Sequence, residues 1–283
     1  MSFDLYGGTF RLFEFYETQY DIRFKYVNFE NVEEVKAAIT PHTKALFIEP
    51  ISNPLMIEID LSPYYQLAQQ HRLLTIIDNT FLTPYLSTPL ADGADIVLHS
   101  ATKYIGGHND VLAGVVTVKD PVLAEQFTQL HNMIGATLAP IDSYLLQRGL
   151  KTLHLRVERA QQNAQRLAER CQQLEGIAEV LYSGRTGMLS LRLAPNYQVA
   201  ALLQHIQVCR FAESLGGTET FITFPYTQTH VDMPDDEKDK RGIDQHLIRL
   251  SIGIEAYEDI ENDLIQALEK SKEGVLYEAH ETN

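Results

Sequence analysis

The stretch "LHSATKYIGGHND" (98–110) sets a lysine, Lys103, close behind two hydroxyls, Ser100 and Thr102. It follows an apolar run, "ADIVL" (94–98), that reads as a strand ending at His99. A second apolar run, "LLTIID" (73–78), ends in Asp78. Ligands of open α/β sheets gather outside the carboxyl ends of the strands. A carboxylate, two hydroxyls and an amine meeting there match the needs of pyridoxal phosphate (PLP). The lysine would attach to the aldehyde and the hydroxyls would donate to the phosphate. The carboxylate would keep the ring nitrogen protonated, so that the ring can accept electrons. Each residue alone has an ordinary reading: Asp78 as a cap or turn residue, Lys103 as a solvated side chain, Ser100 and Thr102 as caps. The joint pattern carries the inference.

The elements that must position these groups are legible around them. "NVEEVKAAI" has helical spacing, and "KALFIEP" reads as a short buried strand stopped by Pro50. "LSPYYQLAQQHRL" is helical again, with Ser62 as N-cap and Pro63 at the first helical position. "LAGVVTV" follows the glycine turn as another strand. Strands alternating with helices predict a mostly parallel α/β sheet, and continuous apolar runs predict strands covered on both faces. The character changes near 148, which divides the chain into 1–148 and a separate α+β unit over 149–283. There Val157, Ala160, Ala164, Leu167, Cys171 and Leu174 form one stripe of a long amphipathic helix ending near Gly176. "GMLSLRLA" and "LIRLSIGI" read as strands, with helices around 198–206 and 258–271. The acidic "VDMPDDEKDKRG" reads as a surface loop.

Composition excludes several function classes. The chain has 283 residues, 45% hydrophobic and 22% charged, with a net charge of −15. That acidity, with no basic patch, argues against nucleic acid. The apolar runs are too short to span a bilayer, and "MSFDLYGG" is not a secretory signal. The two cysteines, Cys171 and Cys209, have no metal or redox spacing, and Cys171 fits a packed helix face. The ten histidines form no metal motif. A cytoplasmic protein without metal is the expectation. No G-x-G-x-x-G follows a strand, which disfavours a nicotinamide enzyme.

"IIDNTFLTPY" followed by "GADIVLHSATKYIGGHND" resembles the cysteine/methionine-metabolism branch of fold-type I PLP enzymes. That branch comprises the cystathionine γ-synthases, cystathionine β- and γ-lyases and methionine γ-lyases. The resemblance extends to "DLYGGTFRLF", "EPISNP" (49–54), "FAESLGGTETFITFPYTQTH" (211–230) and "LIRLSIGIE" (247–255). It implies an aspartate-aminotransferase-like PLP-binding large domain over 1–148 and a C-terminal α+β substrate-binding domain over 149–283. It assigns Lys103 to covalent attachment of the cofactor and to proton transfer, Asp78 to the pyridinium nitrogen, and Ser100 and Thr102 to the phosphate. Tyr6 would stack on the ring and assist as acid or base, and Asn53 would lie near the 3-hydroxyl. Arg249, supported by Ser214, would clamp the substrate α-carboxylate. On its own, Arg249 in "LIRLSIGI" reads equally as a residue on a solvated face. The resemblance further implies an amino-acid substrate such as cystathionine and a homotetramer.

The family's large domain also carries a "YSRxxNP" segment and an "SSGMAA"-like phosphate turn, and neither occurs in these residues. The expectation is a cofactor domain incomplete at its N-terminal part, with exposed apolar surface and an open sheet edge. Such a chain is either a piece of a longer enzyme or an inactive shortened homologue. Within the branch, "FITFPYTQTH" resembles the bacterial β-lyases. Gly8 stands where methionine γ-lyases carry a cysteine, and Glu213 is associated with γ-chemistry on cystathionine-type substrates. The resemblance therefore favours β-lyase-type cleavage of cystathionine, with γ-synthase and γ-lyase as alternatives.

Overall fold

The computed structural model describes residues 1–2, 5–229, 231 and 235–272. Asp4 of "DLYGG", His230 of "TQTH" and residues 232–234 of the acidic stretch lie outside them. Two compact units divide the chain: residues up to Asn53 with Ile57–Leu155, and Pro54–Met56 with the residues from Arg156 onward.

In the first unit, α1 (Gly7–Tyr20) and α2 (Val32–Ala38) precede β1 (Ala45–Ile48) and α3 (Ser62–His71). Then come β2 (Leu74–Asp78), the short α4 (Thr83–Leu86) and α5 (Pro89–Asp92), β3 (Ile96–Ser100), β4 (Gly114–Val118), α6 (Pro121–Ile134) and α7 (Pro140–Leu150). The sheet runs β1-β2-β3-β4, with the first three strands parallel and β4 antiparallel to β3. Its register sets Ile48 beside Ile77 and Ile77 beside Val97. All three are buried against Val35 of α2 and Tyr64 and Leu67 of α3. That face is the core of the unit. Asn31 starts α2 by accepting the N–H groups of Glu33 and Glu34, an ordinary N-cap.

The structure corrects several local expectations. Leu61, not Ser62, occupies the cap position of α3. Asp60 Oδ1 accepts the Ser62 N–H at 2.9 Å, so the carboxylate one residue earlier does the capping work. β3 continues through His99 to Ser100. β4 is not covered on both faces: it is an edge strand, and Val116 is 43% exposed. Its apolar run continues the hairpin rather than marking burial. The expected boundary at 148 falls inside α7, so the units part later, between Leu155 and Arg156.

The second unit follows from the first turn of α8 (Leu153–Cys171). After it come β5 (Ile177–Leu181), β6 (Met188–Leu193), α9 (Val199–His205), β7 (Arg210–Phe211), β8 (Phe221–Thr223), α10 (Asp235–Lys240), β9 (Leu247–Ser251) and α11 (Tyr257–Lys270). The sheet order is β5-β6-β9-β8-β7, with β9 antiparallel to both its neighbours. Ala164, Leu167 and Cys171 of α8 pack with Leu189 and Leu191 of β6, Ile248 and Leu250 of β9, and Leu264 of α11. The predicted stripe is therefore real, but α8 stops at Cys171 and a turn carries the chain to Gly176. The acidic stretch is not all loop, since Asp235–Lys240 is helical. Lys238 answers Asp235 there at 3.2 Å, and Lys240 bonds Glu237 at 2.8 Å. Cys171 and Cys209 are free and buried in the core, which pushes the Cys171 thiol up to about 12. Neither is a reactive thiolate.

Asp263 on α11 holds the chain after α9. Its carboxylate accepts the N–H groups of Gln207 (2.8 Å), Val208 (2.9 Å) and Cys209 (2.8 Å). Burial alone would raise this carboxyl; those three donors and Gln266 outweigh it and hold it below 3.8. We predict that Asp263→Asn, which turns an amide donor toward some of those N–H groups, costs about 1–3 kcal/mol in urea unfolding. A depressed folded value means the stabilisation is complete above 3.8 and is lost as pH falls through the folded value. The difference between variant and parent should therefore shrink on acidification; a pH-independent difference would contradict this account.

Candidate active site

Side chains alternate along a strand, so register decides which groups share a face. With Ile48, Ile77 and Val97 turned to the helical core, Ile76 and Ile96 turn to the opposite face. Continuing the alternation puts Glu49, Asp78 and Ser100 on that second face, at the carboxyl ends of β1, β2 and β3. Neighbouring parallel strands ending together create this edge. His99 and Asn79 belong to the core side, where both are buried, and His99 Nδ1 and Asn79 Oδ1 have no hydrogen-bond partner. Burial lowers the pKa of His99, against an opposing hydrogen bond with the Asn79 backbone. It is a buried core residue.

Thr80 ties the edge together. Its N–H donates to Asp78 Oδ1 at 3.1 Å and its hydroxyl donates to the same oxygen. The hydroxyl oxygen in turn accepts the Ser100 N–H at 2.8 Å. One threonine thus joins the ends of β2 and β3. Desolvation raises the Asp78 pKa, and the two Thr80 donors only partly offset this. A desolvated carboxylate of this kind gains most from a cationic N–H partner. Sequence reasoning missed Thr80, although "DNT" has the spacing of an aspartate that binds the N–H two residues on.

After Ser100 the chain turns tightly. The Lys103 N–H bonds Ser100 O (3.1 Å), Gly106 N–H bonds Ala101 O (2.8 Å), and Gly107 N–H bonds Lys103 O (2.8 Å). Lys103 is half-buried in this turn. The Thr102 hydroxyl is engaged with Ala113, donating to its carbonyl at 3.3 Å and accepting its N–H at 3.0 Å. It must reorient to meet a phosphate, whereas among the described residues the Ser100 side chain makes no such local clasp. Asn53 is buried in the first unit, in the loop where Ser52 N–H bonds Ile57 O at 2.9 Å. Tyr6 caps α1 and is 55% exposed; its ring lies over Gly8, where an added Cβ would come within 2.5 Å of Cε1. Only glycine at position 8 leaves that ring its place.

The expected substrate group lies in the second unit. Arg249, in the central strand β9, is 2% exposed, which removes the solvated-face reading. Its neighbours in register are Ser190 and Thr223. Its Nη2 donates to Glu213 O (2.7 Å), Thr223 Oγ1 (2.9 Å) and Ser214 O (3.4 Å). The Glu213 and Ser214 contribution is thus through their backbone carbonyls, with the Glu213 side chain exposed and Ser214 half-buried. Gly216 N–H binds Ser251 Oγ at 2.8 Å, fastening the same loop to β9. A buried guanidinium with neutral acceptors at Nη2 is well suited to an anionic ligand.

Among the described residues, no group of acidic, histidine and cysteine side chains could hold a metal ion. No helix there is long and apolar enough to cross a membrane. A sequence profile described as Cys/Met metabolism PLP-dependent enzyme matches residues 1–269. The chain is 51% identical over 276 residues to the cystathionine γ-synthase/O-acetylhomoserine (thiol)-lyase of Bacillus subtilis, covering 98% of this chain and 74% of that protein. It is 43% identical to a cystathionine β-lyase of Lactococcus lactis subsp. cremoris, covering 94% of this chain and 74% of that protein. The fold superposes with a TM-score of 0.92 on cystathionine γ-lyase from Lactobacillus plantarum complexed with L-serine. That pair shares 40% identity over 95% of this chain and 75% of the other.

The Lys103 turn carries a steric requirement. Gly149 of α7 backs onto it so closely that an added Cβ would lie 2.6 Å from Ile105 O. Gly149→Ala should cost about 1–3 kcal/mol by overpacking and weaken PLP binding as the turn shifts. Gly114→Ala, whose added Cβ would lie 3.9 Å from His99 O, is the control and should leave cofactor affinity within about twofold. Parallel PLP titrations and thermal melts decide it; equal effects at the two glycines would refute the steric reading.

Proposed function

The chain belongs to the Cys/Met metabolism PLP-dependent enzyme family, and from that premise we propose that it makes the sulfur bridge of cystathionine by replacement at the γ-carbon of an activated homoserine. The observation that carries the choice is identity. The chain is 51% identical to the Bacillus subtilis cystathionine γ-synthase/O-acetylhomoserine (thiol)-lyase and 43% to the Lactococcus β-lyase. The resemblance of "FITFPYTQTH" favours β-elimination from cystathionine, which is the second reading.

The residues present fit pyridoxal phosphate. Asp78 is a desolvated carboxylate suited to a cationic ring N–H, and hydroxyls and an amine lie at and just past the end of the next strand. When bound, the cofactor supplies an electron sink for negative charge at the substrate Cα. In this reading Asp78 holds the proton on the ring nitrogen. Ser100 and Thr102 donate to the phosphate, and Asn53 faces the 3-hydroxyl. Lys103 would be the attachment amine, and its Nζ would take the substrate Cα proton, move a Cβ proton off as the γ-substituent leaves, and return protons to Cβ and Cα once the cysteine thiolate has added at Cγ. Tyr6 covers one face of the ring. Arg249 binds the substrate α-carboxylate, with Ser214 and Glu213 shaping the loop against it.

Mixing the purified chain with PLP should give a band near ~420 nm that Lys103→Ala abolishes. With cysteine and O-acetylhomoserine, the chain should form cystathionine. Lys103→Ala should lower that rate by about 10²–10⁴-fold. Pyruvate from cystathionine alone would support the second reading, and 2-oxobutyrate would indicate γ-elimination. A folded chain without the band would overturn both.

A further inference from the structure

Among the described residues, Glu49 is a carboxylate on the carboxyl edge to which the reading above gives no task. It stands one residue past β1 and is buried. The register that pairs Ile48 with Ile77 places it beside Asp78, on the same side of the sheet. A second carboxylate at this edge is costly unless it is hydrogen-bonded. Its Oε1 accepts the backbone N–H of Tyr6 at 3.0 Å, across 43 residues of sequence.

Tyr6 is the cap residue of α1, and its own side chain makes no capping hydrogen bond. The first turn of α1 contains no acidic residue and none of its residues is buried. Further along, Phe13 meets Phe47 edge-on with ring centroids 5.4 Å apart. The carboxylate that meets the amide at this entry turn comes from the residue after β1. A negative group there also suits the positive end of the helix. Glu49 thus holds the Tyr6 amide, while the Tyr6 ring, 55% exposed, lies over Gly8.

We propose that Glu49 is a positioning residue for the reaction: by holding the Tyr6 amide at the start of α1, it sets the Tyr6 ring for the cofactor. This rests on the reading that Tyr6 covers the cofactor ring.

The test uses the full chain with Glu49→Ala, Glu49→Asp, Glu49→Gln and Tyr6→Ala. Glu49→Asp keeps the charge but withdraws the oxygen by one methylene, so it should behave like Glu49→Ala without leaving an apolar hole. Glu49→Gln keeps an acceptor and should rescue. In the cofactor-free chain, amide exchange over residues 6–10 should speed up about tenfold in the Ala and Asp variants. It should stay within about threefold in the Gln variant, with β2 and β3 amides unchanged. PLP binding should weaken roughly tenfold for Glu49→Ala in the parent, but less than about twofold when Tyr6 is already alanine. Unchanged exchange over 6–10, or an equal loss of affinity on both backgrounds, would overturn the proposal. A parent chain that binds no PLP would defeat the functional reading instead, and the exchange data would still decide whether Glu49 holds α1.

Discussion

The parallel register of β1, β2 and β3 is the constraint on which the first unit depends. It makes three strands end together, and the pleat then sends Ile48, Ile77 and Val97 to one side and Glu49, Asp78 and Ser100 to the other. A slip of one residue would exchange the two sets, burying carboxylates in an apolar core. The same alternation that builds the core thus delivers the polar edge. Thr80 locks the ends of β2 and β3 with one hydroxyl that donates to Asp78 and accepts from Ser100.

The second unit solves a similar problem with one sheet and two faces. Ile248 and Leu250 of β9 pack against α8 and α11, while Arg249 between them points the other way. On that other side Ser190, Arg249 and Thr223 form a polar row, each with a hydrogen-bond partner close by. Ser190 Oγ donates to Pro54 O at 2.6 Å, and Thr223 Oγ1 donates to Ala212 O at 2.7 Å. Burying a guanidinium is costly; the loop at 212–216 offsets that cost by turning its carbonyls toward β9.

Much of this was legible in the residues. Apolar runs located β1, β2, β3, β6 and β9, and the stripe on α8 followed from helical spacing. Lys103, Asp78 and Ser100 stood out through their joint pattern at strand ends, and Arg249 through the family resemblance, since each alone has an ordinary reading. The misreadings share a cause. Ser62 looked like a cap because its type fits, but the cap position falls on Leu61 and Asp60 accepts the Ser62 N–H. β4 looked covered because its residues are apolar, yet it is an edge. Residues 235–240 looked like loop because they are charged, but their i to i+3 pairs suit a helix surface.

By itself the sequence determined the class of chemistry. An amine, a carboxylate and hydroxyls at strand ends, set in motifs of one family, leave little choice of cofactor. It determined the alternation of strands and helices too, since both periods are local properties. What only the tertiary structure decided is which groups share a side and what holds them. That the Thr80 hydroxyl reaches the Ser100 N–H, that Glu49 reaches the amide of Tyr6, and that Glu213 and Ser214 meet Arg249 through carbonyls could not be read from spacing. Those bonds join residues 20 to 43 positions apart. They exist because strand register, loop path and burial bring distant backbone groups within hydrogen-bond range, and no local preference encodes that distance.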